Sequence, residues 1–171
     1  MKKNVLFLMG LFMAQCLYAQ SPYVSYPDPQ HPKEQILNGI ISKYALINNS
    51  AYQWYGANAN AYAPQPDYVS AMRDAAAADI QFIVFAGTWC EDSHFIIPKF
   101  FKLQEQAAFP DNRISFFAVD RNKKTIGNIT TALGITNVPT IIVLKGGKEV
   151  GRVVEYGKTG QWDKELAQLL K

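Results

Sequence analysis

The hydrophobic positions change period around Ala86. Phe82-Ile83-Val84-Phe85 is a short apolar run rich in β-branched and aromatic residues, the pattern of a buried strand. It breaks at Ala86-Gly87-Thr88. Beyond Trp89-Cys90, apolar residues recur at Phe95, Ile96, Ile97, Phe100, Phe101 and Leu103, a spacing that predicts a helix with one buried face from Ser93 to Ala107. A strand therefore delivers Cys90 to the first turn of a helix. Backbone N–H groups without intrahelical partners and the positive end of the helix dipole favour a thiolate at such a place. Glu91 and Asp92, in the same turn, oppose it by like charge.

Downstream and upstream, the patterning gives the order helix, strand, helix, strand, helix, hairpin, helix. Asp67 is expected to cap a helix running to about Ala78, and Arg113 to Asp120 alternates as a strand. Asp120-Arg121-Asn122-Lys123-Lys124 is a polar connection, a solvated loop or an anion site. Thr125 to Leu133 reads as a helix closed by Gly134. Thr140 to Leu144 and Glu149 to Tyr156, joined by Lys145-Gly146-Gly147-Lys148, read as a hairpin with Arg152 and Glu155 as an exposed charge pair. Thr159 to Leu170 closes the chain with Trp162, Leu166, Leu169 and Leu170 on one helical face. This order predicts an α/β domain with a central four-stranded mixed sheet and helices on both faces.

The amino-terminal part reads differently. Pro22, Pro27, Pro29 and Pro32 impose extended chain, as a tether or a segment draped on the domain. Glu34 to Ile47 is read as a strand continued by irregular chain. Asn48-Asn49-Ser50 then starts a short helix whose Tyr52, Trp54, Tyr55 and Tyr62 pack on the parent domain or line a groove. The breaker Ala63-Pro64-Gln65-Pro66 leads to a division into an extension, 20–65, and a domain, 66–171.

Composition adds an address. The chain has 171 residues, 49% hydrophobic and 18% charged, which is enough to build a core and excludes disorder. Residues 1–19 combine two lysines, an apolar run from Val5 to Ala14 and a small residue at Ala19, the pattern of a secretory signal peptide. A buried first helix, or lipidation at Cys16, are the alternatives. Export to the periplasm or beyond the cell is expected, with no membrane span left after cleavage. Loss of Lys2 and Lys3 lowers the formal charge from +3 to +1, and scattered basic residues exclude a nucleic-acid partner. Cys90 would then be the one cysteine, which points to a reactive thiol or an intermolecular bond.

Trp89-Cys90-Glu91-Asp92-Ser93, with Pro98 eight residues after the cysteine and Val138-Pro139-Thr140 downstream, resembles the thioredoxin-like family over Asp67 to Lys171. The resemblance implies the thioredoxin-like fold, a cis bond before Pro139, and exchange chemistry at Cys90 and Ser93. It also implies that Trp89, Val138 and Pro139 contact an extended partner segment. Two departures bear on the chemistry. Ser93 stands where the family has its second cysteine, and Val84 where classical members carry a buried aspartate.

A serine hydroxyl is too weak an acid to expel a partner from a mixed disulfide at neutral pH, so an outside thiol has to close any cycle. Asp92 and Ser93 have a second reading as helix caps, and Glu91, Asp92 and His94 are the residues placed to modulate the thiol. His94, four residues after Cys90, is a candidate base, or with Cys90 and Asp92 a copper or zinc ligand, or a plain surface residue. No cofactor or metal is expected on balance. The expected partners are protein or low-molecular-weight thiols and disulfides, acting on a monomer. The competing function is a catalytically silent protein-binding module.

Overall fold

The computed structural model describes residues 21–171. The proposed signal peptide and Cys16 lie outside the described residues. Six strands form one mixed sheet: β1 (Tyr23–Pro27), β2 (Gln35–Ile41), β3 (Ile80–Ala86), β4 (Ile114–Ala118), β5 (Thr140–Lys145) and β6 (Lys148–Val154). Their spatial order is β1-β2-β4-β3-β5-β6. The four expected strands are the last four in sequence. β1 and β2 come from the extension, which lengthens the same sheet: β2 pairs antiparallel with β4, and β1 with β2. The tether expected around Pro22 to Pro32 is therefore an edge strand, a position that tolerates Pro27 because only one side of it is paired.

The helices are α1 (Lys43–Ile47), α2 (Gln53–Asn60), α3 (Pro66–Ala77), α4 (Glu91–Gln106), α5 (Ile129–Ala132) and α6 (Trp162–Leu169). The alternation of β3 and β5 divides the core between the two faces. Phe82, Val84, Ala86, Ile141 and Val143 join the large cluster under α3, α4 and α6, which includes Met72, Ile96, Ile97, Phe100 and Leu166. Phe85 and Ile142 point to the opposite face, with Val119, Ile135 and Val138 and the flanks of α5. A parallel pair between β3 and β4, crossed by α4, explains why β3 is apolar from Phe82 to Ala86, with only Gln81 polar and exposed.

Several local expectations are corrected. Residues 43–47 are helical rather than irregular. Asp67 sits inside the first turn of α3 and does not cap it; Pro66 opens the helix, its missing N–H costing nothing there. The helix expected from Thr125 begins only at Ile129. Asn49 does start the aromatic segment, accepting the Ala51 N–H at 2.9 Å before a turn of 3₁₀ helix and α2. Tyr52 and Tyr55 are buried against the core, so the aromatic face of this segment is largely packing. Arg152 pairs with Glu149 at 2.6 Å, whereas Glu155 accepts from Asn137 Nδ2.

Candidate thiol site

Strand direction decides what meets at the site. β3 and β4 run parallel, β5 runs antiparallel to β3, and β6 antiparallel to β5. The chain leaving β3, β4 and β6 and the chain entering β5 therefore share one end of the sheet. Cys90 follows β3, Arg121 follows β4, Tyr156 follows β6, and Val138-Pro139 precedes β5. Because β2 is antiparallel to β4 and β1 to β2, the turn holding Asp28 lies at that end too.

Cys90 occupies the cap position of α4, just before rather than within the first turn, with extended backbone and no side-chain cap. Its N–H donates to Gly87 O at 3.0 Å and its carbonyl accepts from His94 N–H at 2.9 Å. The half-buried thiol donates to Val138 O at 3.2 Å, and the Val138–Pro139 bond is cis. Trp89, Cys90, Val138 and Pro139 are thus brought together.

Ser93 does not cap the helix. It is 1% exposed, and its Oγ accepts the Gly87 N–H at 3.2 Å, fastening α4 to the loop that carries Cys90. Val84 is fully buried in β3, so that place holds a hydrocarbon side chain. His94 turns to the extension: its ring stacks on Trp54 with centroids 4.1 Å apart, and Nε2 donates to Thr88 O at 2.7 Å. The carbonyl can only accept, which fixes the proton on Nε2. Among the described residues no three His, Cys, Asp or Glu side chains cluster as metal ligands would.

Two flanks border the site: one holds Tyr156, which the sequence did not mark as a site residue, and the other is the Asp120–Lys124 loop, read from the sequence as solvated or anion-binding. On the β6 side, Tyr156 lies beside Asp92, and burial, followed by the Asp92 carboxylate, raises its phenol above the ordinary value. Its ring meets Phe95 at 5.8 Å; the two remain 38% and 40% exposed. On the β4 side, Trp89 donates through Nε1 to Val119 O at 3.0 Å. The Arg121 guanidinium stands 5.1 Å and Lys123 Nζ 5.7 Å from the centre of its ring.

Arg121 is itself held by the extension. Its Nε and Nη2 donate to the two oxygens of Asp28 at 2.7 and 2.6 Å, and Asp28, 0% exposed, also accepts the Gln30 N–H. The Arg121 hydrogen bonds hold the Asp28 carboxyl at about 2, below the usual carboxylate range. Thr88, in the loop before the cysteine, donates through Oγ1 to Gln35 O at 3.0 Å and accepts the Leu37 N–H at 3.1 Å. The first strands are therefore bonded to the loop that presents the thiol.

A helix-capping cysteine facing the backbone before a cis-proline, at the end of a mixed sheet, defines a thiol-bearing α/β domain. A thioredoxin family model matches residues 49–166, well over half of the chain, and the chain belongs to that family. Mitochondrial thioredoxin O1 of Arabidopsis thaliana is 32% identical over 91 residues, covering 53% of this chain and 45% of that protein. The thioredoxin-like protein R548 of Acanthamoeba polyphaga mimivirus is 29% identical over 94 residues, 55% of this chain and 65% of its own. The chain thus spans less than two thirds of either relative. The crystal structure of Arabidopsis thaliana thioredoxin O1 in the oxidized state aligns over 61% of this chain and 90% of its own, at 30% identity and a TM-score of 0.41. No helix among the described residues is long and apolar enough to cross a membrane.

Proposed function

We propose that this is an exported thioredoxin-family protein that carries out monothiol exchange through Cys90. The observation that carries the reading is the place of the thiol: at the start of α4, in hydrogen-bond contact with Val138 O, while Ser93 is buried and fastened to Gly87. In the exchange, the Cys90 thiol gives its proton to solvent and the thiolate attacks one sulfur of a partner disulfide. A bond forms between Cys90 and that sulfur as the partner's S–S bond breaks, and the second sulfur leaves as thiolate. An external thiol, from a partner protein or a small molecule such as glutathione, then attacks the mixed disulfide and returns Cys90 to the thiol. Trp89 supplies an apolar wall, and Val138, with Pro139, offers backbone to an extended segment. Export rests on the pattern of residues 1–19.

The test is incubation of the folded protein, without residues 1–19, with oxidised glutathione, followed by intact mass. One adduct on Cys90, reversed by dithiothreitol and lost in Cys90→Ala, is expected. A thiol that stays free until the protein is unfolded would refute exchange. The exposed pair Phe95 and Tyr156 beside the site favours a second reading, a binding module without chemistry. That reading predicts that Cys90→Ala keeps partner binding intact.

A further inference from the structure

The sulfur lies between two flanks of different chemistry. On the β6 side stands the Asp92 carboxylate with Tyr156. On the β4 side, Arg121 and Lys123 gather on the indole of Trp89, the residue next to Cys90.

The acids around the β4 flank are largely engaged. Asp28 is buried and gives both oxygens to Nε and Nη2 of Arg121, which leaves Nη1 for a further acceptor. Asp120 Oδ1 accepts the N–H groups of Asn122 and Lys124 at 2.8 Å each, closing its own turn. Glu34 is a third carboxylate in the field of Arg121. Lys123 makes no ion pair among the described residues.

We propose that Arg121 and Lys123 are specificity-determining residues that bind a carboxylate on the disulfide or thiol partner of Cys90, and that Asp28 is the positioning residue that holds Arg121 against Trp89. The partner class is an acidic one, a small thiol or a peptide whose cysteine is flanked by a carboxylate. A guanidinium fixed by one carboxylate is oriented before a second arrives, so little side-chain freedom is lost when the partner binds. The amino-terminal strands are, on this view, part of the thiol site. This inference rests on the exchange reading.

Two disulfide reagents separate the two ideas: dithionitrobenzoate, which is anionic, and dithiodipyridine, which is neutral. In each case Cys90 thiolate takes one reagent sulfur, the reagent S–S bond breaks and the other half leaves as a coloured thiolate or thione. The quantity read is the ratio of second-order rates, anionic over neutral, for folded wild type, Lys123→Gln and the double variant Asp28→Asn with Arg121→Gln. The double variant leaves neither charge buried alone, and Lys123 is on a loop where substitution keeps the fold testable.

The ratio is expected to fall about threefold in Lys123→Gln and further in the double variant, with the wild-type ratio falling as salt is added. A ratio unchanged in folded Lys123→Gln, or both rates falling in step, would overturn the specificity assignment while leaving exchange standing. No reaction of folded wild type with the neutral reagent would remove the exchange reading, and this inference with it.

Discussion

Asp28→Asn is the substitution whose cost can be worked from the structure. The side chain is 0% exposed, receives two hydrogen bonds from Arg121, and is held at about 2 against an ordinary 3.8. Such a fall corresponds to about 2.4 kcal/mol at full strength. Arg121 is 23% exposed, so solvent screens part of the attraction, and about 1–2 kcal/mol is the expected loss at neutral pH. Asparagine keeps an oxygen for the Gln30 N–H and Arg121 Nε but sets an NH2 against Nη2, so the loss takes in that hydrogen bond together with the charge. A carboxyl depressed in the folded state stabilises above its unfolded value and loses that contribution as pH falls through the folded one. The gap between wild type and variant should therefore be constant down to about pH 4, then close toward pH 2. Urea unfolding of both proteins at several pH values measures it. Glu149 and Glu165, whose carboxyls are also lowered by hydrogen bonds, titrate in both proteins and cancel in the difference. A gap that does not change with pH, or no gap at neutrality, would refute the reasoning.

Ser93→Cys places a second thiol three residues after Cys90 and should confer reduction of a protein disulfide such as insulin's, at a rate well above wild type; equal rates would count against exchange at Cys90. The same change removes the hydroxyl that accepts the Gly87 N–H and is expected to cost about 0.5–1.5 kcal/mol in urea unfolding. Gly39→Ala should detach β1, because Gly39 has φ +131° and an added Cβ would strike the Pro22 carbonyl. The cost is about 1–3 kcal/mol, and amide exchange in 23–27 should rise; unchanged protection there would contradict the pairing of Tyr23 with Gly39.

What the sequence discloses about this fold depends on how local the signal is. Trp89, Cys90, Val138 and Pro139 were legible because a motif needs only neighbours in the chain, and β3 because a strand covered on both faces reads as a near-continuous apolar run, here Phe82 to Ala86. β1 was not legible as a strand. It is an edge strand with no buried residue, ends in Pro27, and is recruited by pairing with β2 rather than by apolar content. His94 was legible as a residue near the cysteine, but its direction was set by Trp54, which comes from the aromatic segment forty positions earlier.

Arg121 shows the limit most directly. Its polar loop was readable as solvated or anion-binding, and nothing in the loop names Asp28, 93 residues away. The contact follows from strand direction: β1 and β4 run the same way across the sheet, so the chain leaving each arrives at the end where β3 delivers Cys90. Once that topology is in place, a carboxylate in the first strand's turn can fix a guanidinium on Trp89 without any intervening element. The extension consequently reaches the chemistry by sheet geometry, and its removal should alter the thiol's neighbours as well as the sheet's edge.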